Sequence, residues 1–285
     1  MELSKLICPN CQTENERNAD VCKDCGSLLG FVNVNLLSDP YYEQGLNKRY
    51  QALLAKVRQA EIARFETIIN REGKVVVNMP SEVLRLMVNE NEDYLSYQRG
   101  VEQGKISKRN FKQDRFQCIV ESVFYGFDGR NIVYAALSLD DNGVANYGDV
   151  SVVLKTKSIE KRTTFFERDT FLVFKDLTAI GWRLDEDVPA GYCGIWQDRH
   201  KIAAIKHGAQ IRDTHQITDF AAMILKNGDD RTDAEFIELH VFNTITPNNF
   251  EKITFQKKLV RSFNQLQFEI LTSKLADLQV EVIEA

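Results

Sequence analysis

The sequence predicts an α+β fold behind a small metal-stapled module. Three observations carry this. Up to about residue 125 the apolar residues recur at three- and four-residue steps, the spacing of helices. Beyond it they fall into short alternating or wholly apolar runs, the texture of strands. Four cysteines stand in two close pairs at the N-terminus, where the chain is too polar to build a core. Helices first and strands after point to α+β rather than to βα units around a parallel sheet.

Cys8-Pro9-Asn10-Cys11 and Cys22-Lys23-Asp24-Cys25 are C-x2-C pairs separated by ten residues. Two such knuckles joined by a short hairpin supply the four thiolates of a tetrahedral zinc ion. The segment between them cannot form an apolar core, so the ion must supply the folding free energy. Four thiolates leave no open position, which makes the site structural. The competing reading is two disulfides. The chain opens Met1-Glu2-Leu3-Ser4-Lys5 without a basic and apolar leader, so a reducing cytoplasm is expected, where paired C-x2-C motifs bind metal. The segment is similar to the zinc ribbons common at the N-termini of bacterial proteins, over about residues 6 to 29, including Gly26 and Leu28-Leu29. The predicted ribbon is 1–30. Cys118 and Cys193 stand alone and read as small buried hydrophobes.

Residues 26–38 read as a connector. Asp39-Pro40 is a helix start, an acidic N-cap before proline at the first helical position. Leu46, Tyr50, Leu53, Val57, Ile62, Phe65 and Ile69 then predict one long linking helix over 39–72. Gly73 ends it. Residues 74–78 are β-like, and Pro80-Ser81 opens a second helix to about Gly100. A further helix is expected over 115–125. Strands are expected at 131–139, 150–154, 163–166 and 171–174, with a turn at 140–143. Residues 220–225 read as helix. Residues 236–242 alternate strictly: Ile237, Leu239 and Val241 face one way, and Phe236, Glu238, His240 and Phe242 the other. A last helix covers about 266–280, so the main domain is 73–285.

Composition excludes some classes. With 44% hydrophobic and 27% charged residues the chain is an ordinary globular protein, and no apolar run approaches a membrane span. A net charge of -5 does not attract nucleic acid overall. The ribbon carries three cations (Lys5, Arg17, Lys23) against five acids. Basic groups do occur at Lys105, Lys108, Arg109, Lys112 and Arg115, at Lys155, Lys157, Lys161, Arg162 and Arg168, and at Lys257, Lys258 and Arg261. Singly each reads as a solvated face; gathered on one rim they would face phosphates.

No P-loop, G-x-S-x-G, H-E-x-x-H or dinucleotide fingerprint is present. His200, His207, His215 and His240 show no metal-ligand spacing. Glu238 remains, a lone carboxylate inside an alternating strand. From that segment alone it reads as a solvent-facing residue on a half-exposed sheet.

The wider pattern resembles the ADP-ribosyltransferase-like domains of bacterial toxins. The matching segments are Tyr94-Leu95-Ser96-Tyr97-Gln98, a helix from Arg115 ending at Gly126, Arg130-Asn131-Ile132-Val133-Tyr134-Ala135-Ala136-Leu137, Tyr147-Gly148-Asp149 with the run to Lys155, Arg162-Thr163-Thr164-Phe165 with Asp169-Thr170, and Phe236-Ile237-Glu238-Leu239-His240-Val241. Order and approximate spacing agree over about residues 84 to 255. Glu167-Arg168-Asp169-Thr170 departs from the Gly-Asp-Ser often found there. Gly100-Val101-Glu102-Gln103-Gly104 stands in place of a Ser/Thr-Gly-Gly-like segment.

The resemblance implies a split β-sheet core with N-terminal helices and NAD as substrate. Cleaving nicotinamide from ribose develops oxocarbenium character, so negative charge must stand near the ribose in a dry cleft. Glu238 is the implied catalytic residue. Arg130 would hold pyrophosphate or the neighbouring ribose, Thr163 or Thr164 would buttress the cleft, and Tyr134 would stack on nicotinamide, with a core aromatic as its equal alternative. Phe236, two before the acid, argues against arginine as acceptor and toward a stacked nucleobase. The expected protein is an NAD-dependent ADP-ribosyltransferase toxin of phage defence or a toxin–antitoxin system. RNA or DNA is favoured over protein as acceptor, with the ribbon and long helix recruiting target or antitoxin. The alternative is a non-catalytic zinc-ribbon binding protein on a degenerate scaffold. A cysteine or histidine hydrolase is disfavoured, since no nucleophile–base pair stands out.

Overall fold

The computed structural model describes residues 5–17, 19–107, 125–179, 189–229, 233–255 and 265–284. Its helices are α1 (Val32–Leu37), α2 (Pro40–Leu54), α3 (Gln59–Glu72), α4 (Ser81–Glu90), α5 (Tyr97–Glu102), α6 (Thr156–Ile159), α7 (Thr170–Ala179), α8 (Arg199–His207), α9 (Ile217–Ile224) and α10 (Gln265–Asp277). Its strands are β1 (Leu6–Ile7), β2 (Glu14–Asn15), β3 (Lys74–Met79), β4 (Ile132–Ser138), β5 (Val150–Leu154), β6 (Thr163–Phe166), β7 (Cys193–Ile195), β8 (Leu225–Lys226), β9 (Glu235–Phe236), β10 (Glu238–Phe242), β11 (Phe250–Phe255) and β12 (Glu281–Glu284).

Eight strands pair in the order β12-β11-β5-β3-β4-β10-β6-β7. Only β11 and β12 run parallel, so the fold is α+β with a mixed sheet. The split sheet expected from the resemblance is not seen in the strand pairing, which runs unbroken. One face carries Val75, Val133, Val152, Leu239 and Val241 into the main core, where Phe65 of α3, Ile202 of α8 and Phe220 of α9 meet them. The other face is covered over β4, β10, β6 and β7 by a second cluster, built from Val32, Leu36 and Leu37 of α1 with Tyr42, Tyr125, Phe166 and Phe242. Strand β10 lies between the two cores, and all five of its residues are buried.

Several sequence expectations are corrected. The long helix over 39–72 is two helices broken at residues 55–58. Unbroken it would run about 50 Å; broken, it lets α2 and α3 both lie against α8 and bring Leu46, Ile62, Phe65 and Ile69 into one core. Residues 32–37 are helical, not connector, because Val32, Leu36 and Leu37 bury against the sheet. The second helix stops at Asn91, a left-handed cap, rather than at Gly100. The apolar run 171–174 is helix, not strand. Asp169 starts it, accepting from the backbone N–H of Phe171 through Oδ1 at 2.7 Å. The alternating run at 236–242 breaks at Ile237, with β9 pairing β8 and β10 entering the main sheet. The helix expected over 115–125 lies, apart from Tyr125, outside the described residues, as do Cys118 and the basic residues 108–115 and 257–261. Among the described residues no helix is long and apolar enough to cross a membrane.

The ribbon rests on the junction of α1 and α2. Asn35 Nδ2 donates to the Ala19 carbonyl at 2.9 Å, and Arg17 Nε lies 3.9 Å from Asp39 Oδ2.

Candidate functional site

The four N-terminal thiols converge. The Sγ atoms of Cys8, Cys11, Cys22 and Cys25 all lie within 4.8 Å of one another. Two of these separations are 3.6 Å (Cys8–Cys25) and 3.5 Å (Cys11–Cys22). A tetrahedron with Zn–S bonds of about 2.3 Å has S···S edges of about 3.8 Å, so the donors fit a zinc ion. No disulfide forms among the described cysteines, and Cys193 is a buried thiol.

The two knuckles repeat one backbone pattern. Gln12 N donates to Cys8 O and Gly26 N to Cys22 O, while Cys8 N and Cys22 N donate to Thr13 O and Ser27 O. The residue four after each first cysteine is left-handed, at φ 62° for Gln12 and 70° for Gly26. Two amides that sequence reasoning missed point at the sulfurs: Asn15 Nδ2 at Cys22 Sγ (3.6 Å) and Asn10 Nδ2 at Cys25 Sγ (3.7 Å). Such donors orient thiolate ligands and share their negative charge.

The second site is built around Glu238. Register places Ala136 of β4 and Phe166 of β6 directly beside it, and Tyr134 and Thr164 beside His240. Opposed residues share a face, so Glu238, His240, Tyr134 and Thr164 project together, away from Ile237, Leu239 and Val241. The expected strand parity is therefore the one observed. The solvent-facing position read from the segment alone is not: Glu238 is 5% exposed. Its Oε1 accepts from Thr170 N (3.1 Å) and Thr170 Oγ1 (2.7 Å), and lies 2.9 Å from His240 Nε2. Thr170 is the first residue of α7, so the carboxylate also sits at the positive end of a ten-residue helix.

Burial raises the Glu238 carboxyl to about 7, against the lowering effect of the Thr170 donors. Burial also raises Asp169, the residue before α7, to about 7, and the nearby Glu238 charge adds to this. His240 is wholly enclosed, and desolvation lowers it to about 3, so its ring is neutral. Its Nδ1 lies 2.8 Å from Tyr125 Oη, which lies 3.3 Å from Thr164 Oγ1. Burial holds the Tyr125 phenol well above its usual range.

The remaining sequence-derived residues are placed as follows. Thr164 shares the face of Glu238. Thr163 points to the main-core side and donates from Oγ1 to the Ile159 carbonyl at 2.7 Å. Tyr134 packs edge-on against His240, with ring centroids 4.8 Å apart. Arg130 lies just ahead of β4, six residues from Ala136, or roughly 15–20 Å along the strand. Its carbonyl accepts from Ser96 Oγ, and its guanidinium lies 3.8 Å from Glu102. Phe236 is buried against Tyr147, so its ring is not free to stack a nucleobase as expected. Tyr147-Gly148-Asp149 joins parts of the fold: Tyr147 Oη donates to Asp169 Oδ2 (3.4 Å), and Asp149 accepts from Ser81 N (2.6 Å) at the start of α4. Arg162 is buried and donates to the carbonyls of Ser158, Phe242, Asn243 and Thr244.

Sequence reasoning gave no role to Thr170, His240, Tyr125 or Asn33. One signal was available: Glu238-Leu239-His240 puts an acid and an imidazole two residues apart on a strand, hence on one face. No protein-family model matches the sequence, and no curated protein matches it significantly.

Proposed function

We propose that the chain is an NAD-dependent ADP-ribosyltransferase carrying a structural zinc ribbon, with Glu238 as its catalytic carboxylate. The observation that carries this reading is the asymmetry of that carboxylate. Thr170 N, Thr170 Oγ1 and His240 Nε2 all meet Oε1, and Oε2 has no hydrogen-bond partner among the described residues. A carboxylate anchored through one oxygen in a dry setting presents the other, preorganised, to a developing cation. The oxocarbenium-like ribose of NAD is such a cation. Tyr134 and Thr164 share its face, as the resemblance requires, while Thr163 drops out. Arg130 stands just ahead of β4, beyond the end of that strand away from Ala136, where it would meet the more distant half of an extended dinucleotide.

The acceptor is a macromolecule. Exposed Lys157 and Lys161 near Lys155 keep nucleic acid, RNA foremost, ahead of protein, although Phe236 no longer argues for it. The ribbon exposes Ile7, Val21 and Leu28, the last to 81%, which suits a protein contact with a target or an antitoxin. A toxin of a defence or toxin–antitoxin system acting in the cytoplasm is consistent with these features. The second reading, a binding protein on a degenerate scaffold, draws on the small exposure of Glu238. Incubation of purified protein with labelled NAD and separate pools of RNA, DNA and cell protein decides between them. Label transfer that vanishes in Glu238→Gln supports the enzyme. No NAD consumption with any acceptor leaves the binding protein.

A further inference from the structure

We infer that His240 is a positioning residue for Glu238, held in its Nε2–H tautomer by Tyr125, so that Oε2 is the oxygen turned toward substrate. This rests on the reading of Glu238 as the carboxylate that faces NAD.

The His240 ring is 0% exposed and is walled by Phe166, Tyr134 and Tyr125, with centroids 4.2, 4.8 and 5.7 Å away. A neutral imidazole carries one N–H, and its neighbours decide which nitrogen holds it. On Nε2, the hydrogen points at Glu238 Oε1 across 2.9 Å. On Nδ1, the Nε2 lone pair would oppose a carboxylate lone pair at that same distance. An ionised Glu238 therefore selects Nε2–H.

That tautomer needs a donor at Nδ1, and Tyr125 Oη is in place at 2.8 Å. Its phenol gives its proton to Nδ1 and can accept from Thr164 Oγ1 at 3.3 Å. Asn33, from α1, fixes the strand beneath. Its Nδ2 donates to the carbonyls of His240 (3.1 Å) and Arg162 (3.0 Å). The amide cannot be reversed, because its oxygen would then face two carbonyl oxygens. Hydrogen bonds thus run in one sense, from Thr164 through Tyr125 and His240 to Oε1.

The consequence concerns the other oxygen. His240 on one side and Thr170 on the other clamp Oε1, so the carboxyl cannot swing about its last torsion. Oε2 is fixed in direction, with no hydrogen-bond partner among the described residues. An orienting group of this kind acts on turnover rather than on ground-state binding.

The test uses the full-length, zinc-loaded protein labelled with 15N-histidine, read by NMR above pH 7, alongside steady-state NAD consumption. Wild type should show His240 protonated at Nε2. Tyr125→Phe removes one hydroxyl and should shift part of the population to Nδ1–H. It should also lower kcat about 10- to 100-fold, the usual scale for an orienting partner, with KM for NAD held within about twofold. His240→Gln can supply an amide N–H near the Nε2 position and should keep much of the activity, whereas the shorter His240→Asn should not. A purely structural role would make Gln and Asn behave alike.

A wild type in the Nδ1–H form above pH 7 overturns the inference. So does a Tyr125→Phe variant that keeps Nε2–H and turns over NAD as wild type does. If wild type consumes no NAD, the enzyme reading fails, and the nitrogen shifts decide alone. Loss of Nε2–H in Tyr125→Phe then upholds the relay, and its retention overturns it.

Discussion

The ribbon and the central sheet each gather groups that can carry charge, and hold them by opposite means: two of the four thiols face solvent, whereas Glu238 is buried. The ribbon gathers four thiols within eighteen residues of chain, and none of its described residues joins a hydrophobic cluster. The sheet surrounds one carboxylate with two cores and neutral donors drawn from distant segments. Such a ribbon should depend on one external ion, and removing the ion should remove its fold. The sheet should survive without its charge, since burial raises the Glu238 carboxyl and makes its ionised form costly to fold. The difference separates a group that makes structure from one that structure tolerates.

The largest effect should come from breaking the ribbon. Cys22→Ser removes a buried thiol from a cluster whose zinc binding would be worth on the order of 10–16 kcal/mol. Metal analysis should fall from one zinc per chain to near none, and amide exchange across residues 6–29 should lose protection. The main domain should keep its thermal transition. Metal-replete wild type with no bound zinc would refute the assignment.

The next test removes the tolerated charge. Glu238→Gln should lower NAD turnover on the order of 100- to 1000-fold, or about 3–4 kcal/mol. The carboxyl stands at about 7 against a free value of 4.5. At pH 8 its ionisation therefore opposes folding by about 3 kcal/mol at most. The Gln variant should thus melt a few degrees higher than wild type at pH 8, seen by calorimetry. Such a gain on removing function marks a working site.

Two pairs of buried groups give the fold opposed pH dependences. Glu238 and Asp169, both raised to about 7, stabilise the fold fully at acid pH and lose that contribution as pH rises through 7. His240 and His207, both lowered to about 3, stabilise above 6.5 and lose that contribution as pH falls through 3. Between about pH 4 and 7 the pairs oppose one another, so the wild-type melting temperature should be nearly flat. Without Glu238 the balance tips, and the Gln variant should lose stability on acidification. NAD consumption should rise with pH through about 7 as Glu238 ionises.

The smallest effect is at the seam between the regions. Asp39 accepts from Tyr41 N at 2.9 Å, capping α2, and faces Arg17. Asp39→Ala should cost about 1 kcal/mol through the lost cap. Asp39→Asn should keep the cap and lose only the charge. If both variants destabilise equally by urea titration, the ion pair rather than the cap is what matters there.

How much was legible in the sequence follows the same division. The cysteine cluster was readable because its spacing is local. Strand parity at Glu238 was readable because alternation is local too. The partners of that strand were not: Asn33 meets His240 across 207 residues, Tyr125 across 115, and Thr170 meets Glu238 across 68. The run Phe171 to Phe174 looked like a strand because apolar continuity does not distinguish a buried strand from a buried helix. The Asp169 side chain, ahead of it, decides for helix. The break at residues 55–58 was hidden because the three- and four-residue spacing continues through it, and only packing on α8 requires the turn.

The six residues of α1 touch both regions. Asn35 holds a ribbon carbonyl, and Asn33, half a turn away, holds the carbonyl of His240. The natural seam of the molecule is therefore before α1 and not after it. A chain cut just before Phe31 should shed the ribbon and leave the sheet its supports, including the Phe31 ring against Phe242. A chain cut at residue 39 takes with it the amide on which the His240 backbone rests, although no residue of the sheet has been removed.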